Sequence, residues 1–180
     1  MEKIATAHPD VLLLQPRVHG DARGYFFESY NRQTFAALGL TCDFVQDNHS
    51  RSARGVLRGL HYQVRQPQGK LVRVVAGEVF DVAVDLRRSS PHFGRAACFT
   101  LDAESKRMAW IPPGFAHGFL VLSEYAEVLY KATDYYAPDH ERCLRWDDAA
   151  LAITWPLAGA PLLSAKDQSG LPLTGCELYP

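Results

Sequence analysis

The sequence predicts a mainly β fold, either a sandwich or a barrel, with a few short helices. The chain of 180 residues contains 13 glycines and 11 prolines, which are spread along it and separate many short segments. This spacing is typical of chains that fold into short strands joined by turns. The length suffices for a sizeable core, so we expect one domain over residues 1–180.

The best-defined pair of predicted strands covers Leu71–Val75 and Val79–Leu86, with Gly77 in a tight turn between them. In the second run one face is apolar, and the other face includes Asp81 and Asp85. A strand with one half-polar face borders either solvent or a polar cavity. Short apolar or aromatic runs predict the other strands, which are Val11–Leu14, Tyr25–Tyr30, Val56–Gln63, Ala97–Leu101, Met108–Ile111, Gly118–Val121 and Glu127–Ala132.

Evidence for helices is thin. Residues 31–40 contain helix formers, with Asn31 as a candidate N-cap and Gly39 as a stop signal. Residues 138–148 and 155–167 indicate turns and short helical pieces. We therefore expect a β-barrel that carries only small helices.

Charge and cysteine content exclude several classes of protein. The net charge of −1 gives no sign of a nucleic-acid-binding or membrane-surface protein. The first residues hold only one apolar run, Val11–Leu14, which is far too short for a signal sequence or a membrane span. The four cysteines form no CxxC-type pair, so we expect reduced thiols and a cytoplasmic protein. They are Cys42, Cys98, Cys143 and Cys176.

The segment Arg-Gly-Leu-His-Tyr-Gln, residues 58–63, is unusual for a strand because neither face is plainly apolar. Regular alternation places His61 and Gln63 on one face, and Arg58, Leu60 and Tyr62 on the other. We expect its polar residues to face a ligand cavity.

Two histidine segments resemble the two halves of the cupin pattern. Gly55 and His61 belong to the first, and the second has the form Pro-x-Gly-x-x-His and ends at His117. Metal-binding cupins have a second histidine where this chain has Gln63, and a glutamate in a region that here holds Gln68 and Lys70. Two histidines are too few ligands for a good metal site. We therefore expect a cupin-type double-stranded β-helix (jelly-roll) barrel that works without metal or other cofactor.

The residues that remain suit proton transfer next to a carbonyl group. His61 is a base available near neutral pH, and Lys70 is a positive charge that can stabilise an oxyanion. Tyr130 offers a weak acid, and Asp167 offers a carboxylate that can orient an imidazole. The sequence by itself does not place Tyr130 or Asp167 near His61.

Arginines and polar residues that precede His61 in the sequence suggest a phosphorylated ligand. Arg23 and Glu28 precede the polar run of residues 46–52, and Arg58 follows that run. The guanidinium group is suited to bidentate contacts with phosphate.

Six segments in this order resemble the dTDP-4-dehydrorhamnose 3,5-epimerase family, and the likeness runs from about residue 11 to 168. They are DARGYFFE, QDNHSRSARGVLRGLHYQ, QGKLVRVVAGEVFDVAVDLRRSSPHFG, PPGFAHGF, YKATDYYAPDHE and LSAKD. The resemblance implies a metal-free cupin homodimer that binds a dTDP-4-keto-6-deoxyhexose. It implies inversion of the carbons beside the ketone during dTDP-L-rhamnose synthesis.

The resemblance also assigns roles to individual residues. His61 is similar to the proton acceptor, Tyr130 to the proton donor, Asp167 to the carboxylate that orients the histidine, and Lys70 to the group that stabilises the enolate. Tyr136 resembles the aromatic residue that stacks on thymine. The residues that look like further substrate contacts are Arg23, Glu28, Gln46, Asp47, Asn48, Arg58, Lys70, His117, Glu141 and Lys166.

One residue departs from the family pattern, and several other functions stay open. His19 stands where family members often have an aromatic residue such as Phe. The resemblance implies that this N-terminal region contributes to the nucleotide pocket, in part across the dimer, where a histidine stacks on the base less strongly than Phe. Other functions compatible with the sequence are an epimerase of one carbon only, a nucleotide-sugar ketoisomerase, a non-catalytic sugar-binding cupin and a metal-dependent cupin oxygenase.

Overall fold

The computed structural model describes all residues from Met1 to Pro180 and is built mainly from antiparallel strands. The strands are β1 (Glu2–Ala5), β2 (Leu12–Gln15), β3 (His19–Asp21), β4 (Gly24–Phe26), β5 (Gln46–Ala53), β6 (Leu57–Gln63), β7 (Lys70–Ala76), β8 (Glu78–Asp85), β9 (Ala96–Asp102), β10 (Met108–Ile111), β11 (Phe115–Val121), β12 (Tyr125–Ala132) and β13 (Glu141–Cys143). The α-helices are α1 (Arg32–Ala37) and α2 (Ala165–Gln168), and three short 3₁₀ turns cover Pro138–His140, Ala149–Leu151 and Leu173–Gly175.

Two sheets face each other and enclose the main core. The first sheet has the strand order β1-β2-β10-β7-β12-β5, and the second has the order β13-β6-β11-β8-β9. Fifteen buried apolar residues lie between them, with Val72 and Val128 from the first sheet and Ala83 and Phe119 from the second. Burial of each valine, leucine, isoleucine or phenylalanine side chain in this cluster contributes roughly 1.5–3 kcal/mol. The prediction of a mainly β fold is confirmed.

The outer face of each sheet is covered by other parts of the chain. Leu60 and Val82, on the outer face of the second sheet, pack against Leu144 and Leu151 from the C-terminal third. On the first sheet, Phe35 of α1 packs against a cluster that contains Leu14, Leu71, Met108 and Trp110. The two sheets therefore contact each other through their inner faces, and other segments cover their outer faces.

The predicted turn at Gly77 exists, but it joins different sheets. β7 pairs with β10 and β12, whereas β8 pairs with β11 and β9. Gly77 has a φ of +76°, and a Cβ on it would lie 2.0 Å from the carbonyl oxygen of Tyr125. This corner therefore requires glycine.

Most predicted strands and the helix are present, and most of the differences lie on the N-terminal side. Asn31 caps α1, since its side chain accepts hydrogen bonds from the backbone N–H groups of Gln33 and Thr34. The predicted strand Tyr25–Tyr30 is wrong beyond Phe26, because β4 pairs only with the short β3 and the chain then turns towards α1. Sequence patterns also missed β1, β3, β5 and β13. Neither α-helix is long or apolar enough to cross a membrane.

Candidate active site

A cavity of about 350 Å³, lined mainly by polar and charged residues, lies between the two sheets. It contains every predicted site residue except Asp167, Arg23, Glu28 and Asp47. The lining residues are Gln46, Asn48, Ser50, Arg58, His61, Gln68, Lys70, His117, Gly118, Phe119, Tyr130, Tyr136, Glu141 and Lys166.

A β-bulge in β6 places Arg58 on the cavity side. Opposite β11, His61 pairs with His117, but Arg58 pairs with Phe119, so β6 has one extra residue. The predicted alternation, which put Arg58 and His61 on opposite faces, is wrong because the extra residue shifts the pattern by one. Gly59 lies in the bulge with a φ of +119°, and a Cβ there would be 2.7 Å from the Cα of Gly118. The close approach of the two backbones requires glycine.

His61 stands against a buried carboxylate. Its Nε2 lies 2.7 Å from Oδ1 of Asp167 and is shielded from solvent. Asp167 accepts hydrogen bonds from the backbone N–H of Gly59 and from the hydroxyl of Ser164, the residue that caps α2. Burial by itself raises the pKa of Asp167, but His61, Ser164 and Gly59 outweigh burial and hold that pKa well below its usual range.

Asp167 therefore stays charged at neutral pH, and its charge favours the form of His61 in which the nitrogen facing it carries a proton. A neutral His61 with its proton on Nε2 keeps the lone pair on Nδ1. The predicted association of His61 with Asp167 is present in the structure, although 106 positions separate them in the chain.

Lys70 is an almost fully buried cation in the cavity wall. Its exposed fraction is 9%, and its Nζ lies 5.9 Å from the centre of the Tyr130 ring. Burial lowers the pKa of Lys70 to about 8, although the carboxylates of Glu141 and Asp81 oppose that shift. The amine therefore keeps its charge at neutral pH.

Tyr130 lies on the wall opposite His61. It belongs to β12 of the first sheet, between Asn48 of β5 and Val72 of β7, whereas His61 belongs to the second sheet. Burial, followed by the charge of Glu141, raises the pKa of Tyr130. The phenol therefore keeps its proton at neutral pH and can donate it.

A second histidine and carboxylate pair lies on β11 and β8. The Nε2 of His117 is 3.0 Å from each carboxylate oxygen of Asp81, and Asp81 has no solvent-exposed surface. The half-polar face predicted for this strand is thus the inner face of β8, on which Asp81 holds the cavity residue His117. Sequence patterns indicated this polar face but did not identify Asp81 as the partner of His117.

Three further predicted residues form a chain of contacts at the cavity edge. Lys166 lies 2.7 Å from Oε1 of Glu141, and the hydroxyl of Tyr136 donates to Oε2 of Glu141 over 2.7 Å. Burial raises the pKa of Glu141, but Lys166 and Tyr136 outweigh it and lower that pKa overall. Tyr136 has an exposed fraction of 52%, so its ring is free to meet a ligand.

The polar run that was not recognised as a strand is β5. Gln46, Asn48 and Ser50 line the cavity, whereas Asp47 lies between them in the strand and binds Lys131 on the other face. The structure therefore places Asp47 outside the cavity. Ser50 was missed, and the signal that could have found it is the same alternation that places Gln46 and Asn48 inside.

Arg23 and Glu28 also lie away from this cavity. Arg23 pairs with Asp21 on the β3–β4 hairpin, and 89% of its side chain is exposed to solvent. Glu28 accepts hydrogen bonds from Asn31 and Thr34 at the start of α1. His19 belongs to the same hairpin, because it is the first residue of β3 and pairs with Phe26 of β4.

The position of the second cupin histidine is not available to a metal ion. The side-chain nitrogen of Gln63 donates to the carbonyl oxygens of Gln66 and Tyr135, and its side-chain oxygen accepts from the N–H of Ala137. With Gln63 engaged and Lys70 cationic, the residues at the usual cupin metal positions do not fit a metal ion.

Comparisons with known proteins agree on one family. A sequence profile described as dTDP-4-dehydrorhamnose 3,5-epimerase matches residues 5–174. The chain is 63% identical to the dTDP-4-dehydrorhamnose 3,5-epimerase of Pseudomonas aeruginosa, over 100% of both chains, and 61% identical to that of Salmonella typhimurium, over 91% of both.

A solved structure is similar throughout. It is the dTDP-6-deoxy-D-glucose-3,5-epimerase of Legionella pneumophila in complex with dTDP-4-keto-L-rhamnose, at 49% identity and a TM-score of 0.96. The match covers 99% of this chain and 97% of that one. The likeness includes both sheets and confirms the predicted cupin-type barrel.

Proposed function

The chain belongs to the dTDP-4-dehydrorhamnose 3,5-epimerase family, and from that premise we propose how its cavity performs the reaction. The protein is an isomerase that converts dTDP-4-dehydro-6-deoxy-D-glucose to dTDP-4-dehydro-L-rhamnose in dTDP-L-rhamnose biosynthesis. The observation that carries the mechanism is the position of His61 and Tyr130 on opposite walls of one cavity.

Proton removal is the task of His61. The 4-keto group acidifies the C–H bonds on either side of it, and Nδ1 of His61 takes a proton from one face of the sugar. Asp167 is a positioning residue, since its charge stabilises the imidazolium that forms. General base help of this kind contributes roughly 10²–10⁴-fold to the rate.

The electrons of the broken C–H bond move to the ketone oxygen and form an enolate. Lys70 supplies a buried positive charge for that oxygen, and such charges act more strongly where water is excluded. His117 supports the same region and is held by Asp81. Tyr130 then returns a proton from the opposite face, which inverts the carbon.

The nucleotide part of the substrate is bound by the remaining cavity residues. Arg58 and Lys166 provide positive charge for the diphosphate, and Tyr136 provides a ring for thymine. The buried amide nitrogen of Asn48 has no hydrogen-bond partner within the chain. A buried donor of this kind favours an acceptor on the ligand, and Gln46 and Glu141 complete the binding set.

Arg23 and Glu28 do not line the cavity that contains His61 in their own chain, so we propose that a second copy of the chain supplies them. The β3–β4 hairpin is a separate two-stranded sheet that exposes 62% of Tyr25 and 73% of Phe26. Exposed aromatic residues of this kind are typical of an interface. We propose a homodimer in which this hairpin, with Arg23 and His19, completes the nucleotide pocket of the partner subunit.

The proposal requires no metal and no organic cofactor, because protein side chains supply the base, the acid and the charge. Besides the second copy of the chain, we propose the substrate as the only binding partner, with no nucleic acid and no membrane. The same proposal treats residues 1–180 as one domain. A cytoplasmic location belongs to the same proposal and agrees with four cysteines that form no disulfide.

The function is tested by incubating the protein with dTDP-4-dehydro-6-deoxy-D-glucose and identifying the product by NMR. We expect dTDP-4-dehydro-L-rhamnose from the wild type and from His49→Asn, whose histidine lies on the outer side of β5 and pairs with Glu127. His61→Asn should lose turnover by roughly 10²–10⁴-fold. A product with a moved keto group, or full turnover by His61→Asn, would overturn the proposal.

A further inference from the structure

Cys143 lies beside His61 and Asp167 and has no role in the proposed proton transfers. It is the last residue of β13, directly opposite His61 of β6 in the strand pairing. Side chains at directly opposite positions of antiparallel strands share a face and lie close together. Burial, together with the Asp167 carboxylate, raises the pKa of Cys143 to about 12, so the free thiol is protonated and is a poor nucleophile.

The three side chains bring a nitrogen, a sulfur and an oxygen to one point. A ring nitrogen of His61, Sγ of Cys143 and a carboxylate oxygen of Asp167 all lie within 4.8 Å of one another. They come from β6, β13 and α2, so three separate elements converge there. This donor set is the one that Zn²⁺ prefers, with bonds of about 2.0–2.3 Å.

We propose that His61, Cys143 and Asp167 form a binding site for a thiophilic divalent cation such as Zn²⁺, and that occupation of this site inhibits the enzyme. Tetrahedral zinc needs ligand atoms about 3.5 Å apart. Side-chain rotations therefore have to bring the atoms that are up to 4.8 Å apart closer by about 1 Å, and to open the 2.7 Å contact between His61 and Asp167 by nearly as much. The fourth position is free for water. This site differs from the usual cupin metal site, which would need Gln63 and the position of Lys70.

An ion reaches the site from the outer side. Cys143 lines a second, polar cavity, formed by β13, α2 and the C-terminal segment and containing Glu177 and Ser169. Glu141 and Lys166 line both this cavity and the one that contains His61. The thiol proton leaves when the metal binds, as for other cysteine ligands.

Inhibition follows from the chemistry of imidazole and rests on the proposed role of His61. An ion on Nδ1 occupies the lone pair that accepts the substrate proton. An ion on Nε2 forces the ring proton to Nδ1 and removes the same lone pair. It also takes Asp167 away from its contact with the ring.

Cobalt provides a readout that does not depend on activity. We expect Co²⁺ added to the reduced wild-type protein to give the intense visible bands of a tetrahedral site and a sulfur-to-cobalt charge-transfer band. Loss even of a residue that supports a ligand weakens metal binding by about 10–100-fold, so Cys143→Ser should weaken it by at least that factor. Cys98→Ser, on β9, is the matched control and should bind like the wild type.

Inhibition is measured in parallel as the ratio of turnover with and without Zn²⁺. We expect a fall in this ratio for the wild type and Cys98→Ser, and a much smaller fall for Cys143→Ser. A cobalt spectrum without the sulfur band, or equal zinc inhibition in Cys143→Ser and the wild type, would overturn the metal site. Cobalt bound through Cys143 with unchanged turnover would support the site and contradict His61 as the base.

Discussion

The buried charge of Lys70 destabilises the folded protein, and the same charge serves the proposed reaction. Lys70 has an exposed fraction of 9%, and burial lowers its pKa from 10.5 to about 8. Below pH 8 the amine is protonated in the folded and unfolded states, so the folded state bears the whole cost of burying the charge. The same charge, poorly screened, is what an enolate oxygen needs.

Replacement of Lys70 should therefore raise stability. Between pH 8 and 10.5 the unfolded chain binds more protons, so the free energy of unfolding of the wild type rises with pH in this window. Lys70→Met should raise the free energy of unfolding at pH 7 by roughly 2–4 kcal/mol and flatten that rise. Urea denaturation at several pH values measures this, with the exposed Lys3→Met as control. A variant less stable than the wild type at pH 7 would contradict the cost assigned to the buried charge.

The charge on Lys70 also predicts how the rate depends on pH. As the pH rises through about 8, the free enzyme loses this proton and its oxyanion stabiliser, so kcat/KM should fall. Lys70→Arg keeps its charge and should lack this fall, whatever its absolute rate. A profile of kcat/KM from pH 6 to pH 10 checks this. An identical fall in both proteins would assign it to another group.

Asp167 should affect turnover more than substrate binding, because it contacts His61 and not the cavity. Asp167→Asn removes the charge that stabilises the imidazolium, and we expect kcat to fall by roughly 10²-fold or more with KM nearly unchanged. Gln168→Asn, on the exposed side of the same helix, is the control. Steady-state kinetics decide, and a change confined to KM would contradict the positioning role.

At the residue scale, the sequence could identify His61, Lys70 and His117, because each belongs to a recognisable motif. It could not establish that Asp167 touches His61, since that contact depends on how α2 folds back over β6. Asp81 was only indicated, by the polar face of its strand.

At the scale of elements, the bulge in β6 decides which residues share the cavity. One extra residue between Arg58 and His61 reverses the alternation, and the contact between Gly59 and Gly118 allows it. β8 was predictable because its residues alternate between one apolar face and one half-polar face. β5 was missed because its inner face is as polar as its outer face, as expected of a strand that lines a polar cavity.

The bulge gives a test at this scale. Gly59→Ala puts a Cβ 2.7 Å from the Cα of Gly118, at a φ of +119°, so we expect a loss of roughly 2 kcal/mol or more in stability. Arg58 and His61 should also shift, with loss of activity. Gly159→Ala, which meets no atom within 4 Å, should be neutral. Thermal and urea unfolding measure both, and a Gly59→Ala protein as stable as the wild type would contradict the need for glycine.

At the scale of the whole molecule, one copy of the chain does not bring all the predicted substrate contacts together. The inner faces of two sheets supply the base, the acid and the buried charge, whereas the hairpin that carries Arg23 is outside. The cupin-type barrel was predictable from motifs and from the spread of glycine and proline. The separation of Arg23 from the cavity of its own chain was implied only by the family resemblance, because the order of motifs by itself carries no information on which copy a segment serves.

Subunit mixing tests the homodimer. Arg23→Ala and His61→Asn each impair the two sites of their own dimers. If Arg23 serves the partner subunit, co-expression of the two variants gives mixed dimers in which one of the two sites contains both a wild-type His61 and a wild-type Arg23. With random pairing in a two-fold dimer, about one quarter of wild-type activity should return. No gain over the two separate variants would contradict exchange of the hairpin between subunits.

The central claim is that protons leave and return on opposite faces at both carbons beside the ketone. NMR of the product formed from dTDP-4-dehydro-6-deoxy-D-glucose in heavy water tests it most directly. We predict deuterium at C3 and C5 with both carbons inverted, and no label with His61→Asn. Label and inversion at one carbon only would show a single-carbon epimerase, and a product without label would contradict proton exchange through His61 and Tyr130.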